Sequence, residues 1–151
     1  MARVSAAVTV PGLASEAETL WYDPQRWPAW VDGFGHVLKL EGEWPARGAR
    51  VVWASKPGGR GRVVERVVAH EARTGQTLEV EDEKMRATQR VAFRPGGDEV
   101  EVALELEYEL KDRNPLTPLT DLLFIRRAQR DSLRRSLARF ARERRADIEL
   151  T

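Results

Sequence analysis

The chain contains no cysteine. That absence removes disulfides, zinc–thiolate sites and thiol nucleophiles together, and it fits a reducing cytoplasm as the compartment. Histidine is almost as scarce: His36 and His70 are the only two, and neither sits in a metal-type spacing such as H-x-x-x-H. No motif asks for a metal or a cofactor. Long apolar runs are missing too, since no segment approaches the roughly 18 consecutive apolar residues of a membrane-spanning helix. The start, MARVSAAVTVPGLASEA, imitates a secretory signal, but its apolar stretch is short and broken by Pro11-Gly12. A cytoplasmic protein that is not integral to a membrane is expected. Nor is there an excess of charge of one sign, because 25 Lys and Arg stand against 24 Asp and Glu, which excludes a disordered tail or a strongly cationic binder.

What is present is enough for one domain over residues 1–151, with a core and room for a cavity. Val4, Ala6, Val8 and Val10 alternate with polar or small residues, the period of a half-buried strand. Pro11-Gly12 stops it, and Ser15 with Glu18 has the spacing of a capping box for a short helix to about Tyr22. Asp23-Pro24 repeats the device for a second short helix. From residue 34 the period returns to two. Phe34, His36, Leu38 and Leu40 share one parity, Ala49–Ser55 carries Val51 and Trp53, and KPGGRG at 56–61 is a hairpin loop. Strands are expected at 62–72, 76–82, 86–94 and 99–110. In the last, Val100 to Leu110 alternate with five glutamates, and Arg86, Arg90 and Arg94 are expected to lie beside that glutamate row across a hairpin at Pro95-Gly96-Gly97. A long helix over 118–145, capped by Thr117 with Pro118 at its first position, carries Leu119, Leu122, Leu133, Leu137 and Phe140 as an apolar stripe.

The segment LWYDPQRWPAWV, residues 20–31, packs three tryptophans, a tyrosine and two prolines into twelve positions. With the element order, it carries a resemblance: LWYDPQRWPAW is similar to the D-P-x-x-W-P-x-W-like entry to the second helix in the START-like, or SRPBCC, superfamily, and within it the polyketide cyclase/dehydrase-type family. The resemblance covers nearly the whole chain. It implies an α+β helix-grip fold, a bent antiparallel sheet around the long C-terminal helix with two short helices after strand one, and an elongated apolar cavity between sheet and helix. Trp21, Tyr22, Trp27 and Trp30 would then plug the open end of the grip, as a structural seal or in contact with a ligand.

Catalytic signatures are absent. The breaks in apolar periodicity say more, because a polar group buried without a partner costs several kcal/mol and survives only beside a partner, a wet cavity or a ligand. Arg126 and Gln129 interrupt the helix stripe, Gln89 interrupts the face shared by Met85, Ala87, Val91 and Phe93, and Tyr108 adds a hydroxyl to the inward face of the last strand. With Trp30, His36 and Trp53, these residues form the expected ligand-binding set. If the protein is an enzyme, His36, Tyr108 and Arg126 are the candidates to move a proton or steady an enolate.

The charge is divided along the chain: residues 1–110 carry 14 basic and 18 acidic groups, residues 111–151 carry 11 and 6. The basic excess reads as a solvated helix face, and tight nucleic-acid binding is not expected, since no aromatics interleave with the arginines. Three functions compete. The leading one is binding, and with it transport, of a hydrophobic small molecule such as a lipid, isoprenoid or polyketide-like compound. The second is a polyketide cyclase/aromatase or dehydratase, and the third is a protein-interaction module.

Overall fold

In the computed structural model, which describes residues 1–112 and 114–150, the alternating segments form one antiparallel sheet. Its strands are β1 (Ala2–Pro11), β2 (Phe34–Glu41), β3 (Arg50–Ser55), β4 (Arg62–Glu71), β5 (Gly75–Glu81), β6 (Met85–Gly96) and β7 (Glu99–Leu110), in the order β1-β7-β6-β5-β4-β3-β2. Helices α1 (Ala14–Trp21) and α2 (Trp27–Trp30) follow β1, and α3 (Leu119–Glu149) closes the chain. The bent sheet with a long C-terminal helix is the helix-grip arrangement that the element order predicts.

β7 anchors this arrangement, flanked by β1 and β6. Its inward residues Val100, Val102, Leu104, Leu106 and Tyr108 are all buried. Its outward glutamates meet the arginines of β6 in the expected register, with Arg86 opposite Glu109, Arg90 opposite Glu105 and Arg94 opposite Glu101. Arg94 bonds Glu101 at 3.0 Å and Arg90 reaches Glu105 at 3.2 Å, while Arg86 turns to Glu81 at 3.4 Å. These pairs are exposed and worth little each, so they select the register more than they hold the fold. The hairpin turns at Gly97, whose φ of 70° is open to glycine and strained for other residues.

Helix boundaries differ from expectation in their caps. Leu13 precedes α1, and Glu16, not Glu18, reaches back to accept the Leu13 N–H at 2.8 Å. Glu18 instead accepts the Arg73 N–H at 2.6 Å. Asp23 does not cap a helix: its carboxylate accepts the Gln25 N–H at 3.0 Å in a turn, and α2 begins only at Trp27 with Pro28 in its single turn. The Thr117 hydroxyl accepts the Asn114 N–H, α3 starts at Leu119 and it runs four residues past the expected end, to Glu149.

α3 buries Leu133, Leu137, Phe140 and Ala141 against the sheet and the short helices. Phe140 meets Trp21 and Trp30 edge-on, each at 5.2 Å between ring centres, and Trp21 lies 4.5 Å from Trp30. Ion pairs fasten the same end: Arg26 binds Glu143 and Asp147 at 3.0 and 2.9 Å, and the buried Arg144 binds Glu16 at 3.1 Å. The aromatic segment therefore packs into the core at the contact of α1, α2 and α3.

Candidate functional site

Between the sheet and α3 lies a cavity of about 260 Å³. This is near the lower end of ligand pockets, roughly 300–1,000 Å³, so it suits a body of one or two rings and would have to open for a long chain. Trp21, Trp27 and Trp30 from the short helices, Phe34 and Trp53 from β2 and β3, and Leu104 and Leu106 from β7 supply its apolar walls.

One polar pole belongs to the loop between β3 and β4. The Arg60 Nε donates to Asp82 at 2.9 Å, and Asp82 is itself fixed by the N–H groups of Lys84 and Met85 at 2.8 and 3.0 Å. The guanidinium lies over the Trp53 ring, its carbon 5.5 Å from the centroid. Held on one side, Arg60 keeps its Nη2 buried without a hydrogen-bond partner, and the Trp30 Nε1 is in the same condition. Both residues line the cavity. Beside them, the half-buried Glu65 also lines the cavity. Burial pushes its carboxyl above the usual range, and the Arg60 charge and the Trp53 indole only partly offset this.

A second polar edge is a latch between the turn after α2 and the helix, next to the β3–β4 loop, since the Lys56 N–H donates to the Gly33 carbonyl at 2.8 Å. Asp32 accepts from Ser132 at 2.7 Å and from Arg135 at 3.0 Å, Arg139 approaches at 3.3 Å, and the Asp32 N–H donates to Ser136 at 2.9 Å. Burial alone would raise the Asp32 pKa, but the bonds from Arg135 and Ser132 and the charges of Arg135 and Arg139 outweigh it and hold the carboxyl below its ordinary value.

Of the residues singled out in the sequence, Trp30, Trp53, Gln89 and Gln129 line this cavity. His36 does not. It is exposed on β2, because register shifts between Phe34 and His36 and between Val37 and Lys39 break the parity that placed it inward. Leu38 is exposed for the same reason, while Leu40 is exposed although the second shift returns it to the face of its partner Val51. Gly35 sits at the first shift, where a Cβ would come 2.5 Å from the Ala54 carbonyl oxygen. Tyr108 and Arg126 lie apart as well, at a surface depression shared with Met1, Leu122, Leu123 and Ile125. Tyr108 is one inward position beyond Leu106, about 7 Å farther along β7, and Arg126 is turned about 60° around α3 from Gln129. Burial raises the Tyr108 pKa, with the Arg126 charge opposing.

Sequence reasoning missed Glu65 and Arg60. Glu65 carried a usable signal: it stands between Val63 and Val67, both buried, as the same kind of polar break as Gln89. Arg60 carried none, since KPGGRG reads as an ordinary turn. Among the described residues no cluster of acids and histidines is arranged to hold a metal, and no helix is long and apolar enough to cross a membrane.

Comparison with known proteins agrees with this geometry. The Zhui aromatase/cyclase from Streptomyces sp. R1128 superposes with a TM-score of 0.78 over 97% of this chain and 95% of its own, at 12% identity. TTHA0849 from Thermus thermophilus gives 0.75 over 95% and 96% at 19% identity, and DR_A0006 from Deinococcus radiodurans gives 0.61 over 94% and 96% at 23%. At these identities the likeness is one of fold. No protein of curated function matches the chain. Residues 1–144, however, match the family described as polyketide cyclase / dehydrase and lipid transport, and with the helix-grip sheet, the long α3 and the cavity between them, the chain belongs to that family.

Proposed function

We propose that the protein binds a hydrophobic small molecule, of lipid, isoprenoid or polyketide-like type, with an apolar ring or rings against the tryptophans and an oxygen group toward Arg60. The observation that carries this is the pair of buried, unpartnered donors, Arg60 Nη2 and Trp30 Nε1, on the wall of an otherwise aromatic cavity. Each unpaired buried donor costs about 1–3 kcal/mol, which a ligand acceptor relieves. Gln89 and Gln129, also on the wall, add amides that adapt to donor or acceptor. Native mass spectrometry of protein purified without detergent is expected to show a co-purified apolar compound, or, after its removal, quenching of tryptophan fluorescence by 2-naphthol. Neither a bound mass nor quenching would end this reading.

The second reading is a polyketide cyclase/aromatase or dehydratase, and Glu65 is the observation that favours it. A carboxyl that burial makes hold its proton more tightly can, once ionised, take the α-proton of a β-keto compound while the Arg60 guanidinium steadies the enolate oxygen, and can then return that proton to the hydroxyl that leaves as water. His36, exposed to solvent, is badly placed for that role. Because the folded protein holds the Glu65 proton more tightly than the unfolded chain does, stability should fall as pH rises from the ordinary value of 4.5 through the raised folded value, then level off. Glu65→Gln is expected to flatten this dependence and raise the urea midpoint at neutral pH. The same variant separates the readings: a carrier keeps its 2-naphthol affinity, whereas an enzyme also loses turnover of a model poly-β-keto substrate. An unchanged pH profile would show that Glu65 is not held protonated.

A further inference from the structure

The first turns of α3 and the residues before them expose apolar side chains that the fold does not use. Leu116 is 89% exposed, Leu119 70%, Leu123 54% and Phe124 73%. Directly after them come Arg126, Arg127, Arg130 and Arg134, none of which has a carboxylate partner among the described residues. Farther along the helix only Arg142 is likewise unpaired among the described residues. Arg135 and Arg139 pair with Asp32, Arg144 with Glu16, and Arg145 donates to the Thr9 carbonyl. On the sheet, Arg3, Arg90 and Arg94 are matched to glutamates, whereas Arg62 and Arg66 of β4 have no such partner among the described residues. At 100° per residue, Leu119, Leu123 and the four unmatched arginines fall within about 100° of one another around α3. The result is one stripe, apolar at its start and cationic beyond, with Phe124 about 60° outside its edge. In sequence the arginines read as a solvated face; the structure adds the uncovered leucines and the phenylalanine.

We propose that this stripe docks the protein peripherally on an anionic lipid bilayer, with Leu116, Leu119, Leu123 and Phe124 entering the interface and the arginines meeting the headgroups. An amphipathic segment with apolar insertion and unpaired arginines is the pattern such surfaces recognise. A second copy of the chain is a poorer occupant, because a twofold contact through the same patch would bring two unneutralised arginine rows together. A nucleic acid would leave the leucines without a partner. Gln129, on the cavity wall, lies little more than one helical turn beyond Phe124, so a docked protein would hold the cavity near the bilayer. The proposal stands apart from which ligand the cavity takes.

Flotation with vesicles of phosphatidylcholine alone, and of phosphatidylcholine mixed with phosphatidylglycerol, tests it. The protein is expected to float with the anionic vesicles only, and less so as salt rises. Leu123→Asp with Phe124→Asp should abolish flotation, and Arg126→Gln with Arg127→Gln should weaken it by about 25-fold, each arginine contributing roughly fivefold. All four positions are exposed, and acidic residues near a helix start are tolerated, so unchanged thermal melts will show that the variants are folded. Absence of flotation with anionic vesicles overturns the proposal, as does flotation that both variants retain. A wild-type dimer in sedimentation that Leu123→Asp dissociates, without vesicle binding, would assign the stripe to self-association and overturn it equally.

Discussion

Phe140→Ala is expected to destabilise the protein by about 3–5 kcal/mol, a large share of the roughly 5–15 kcal/mol that holds a typical domain folded. Phe140 has no exposed surface, and it is the residue through which α3 meets the aromatic segment, with Trp21 and Trp30 both edge-on at 5.2 Å. The cost should fall at the high end, because the void would be walled by indoles with few rotamers and these cannot collapse into it as flexible aliphatics do. Two fixtures limit relaxation further: the Trp27 Nε1 donates to the Trp21 carbonyl at 2.9 Å, and Arg26 ties the same turn to Glu143 and Asp147. Urea unfolding followed by far-ultraviolet circular dichroism should show a lower midpoint at an unchanged slope. A loss below about 1 kcal/mol would mean that the ring contributes little to the junction.

Arg60→Met is expected to cost about 10- to 100-fold in affinity for 2-naphthoate while leaving 2-naphthol nearly unchanged, since a hydrogen bond to a charged group is worth about 1.5–3 kcal/mol. Methionine preserves an apolar stem against Trp53 and removes only the charge and donors. The loss should exceed what a surface arginine would give, because Nη2 is buried and unpartnered and one side of the guanidinium is already anchored on Asp82. The stability cost should stay well below the roughly 3–5 kcal/mol of a broken, fully buried pair. Arg60 is 36% exposed, and Asp82 keeps two backbone N–H donors. Isothermal titration with the two naphthalene derivatives measures the ratio. An equal loss for both ligands would show that Arg60 shapes the wall without reading ligand charge.

What the residues disclosed in advance follows a physical line. Where a strand pairs without interruption, period two is sufficient, and the β6–β7 ladder matched expectation from the buried valines and leucines to the arginine–glutamate pairing. Gln89 and Gln129 could be picked out because a polar residue on an apolar face is visible at any register. His36 failed because the register shifts in β2 displace the side chains, and such a shift depends on how β3 lies beside it. Tyr108 and Arg126 failed differently: facing inward is a property of one element, whereas sharing a cavity depends on how far along β7 and how far around α3 the two elements meet.

By itself the sequence determined the helix-grip element order, the strands of the sheet, the aromatic segment after β1 and the absence of thiol chemistry, because periodicity and composition act locally or uniformly along the chain. Only the tertiary structure decided the chemical character of the cavity. Arg60 lies in a turn and Asp82 follows β5; Glu65 is midway along β4 and Trp30 is in a one-turn helix. Nothing in their spacing along the chain shows that the first two bind each other, or that Arg60, Glu65 and Trp30 face the same space. Sheet curvature and the seating of α3 bring them together, and burial then does what sequence position cannot: it leaves two donors unpaired and raises the carboxyl's hold on its proton.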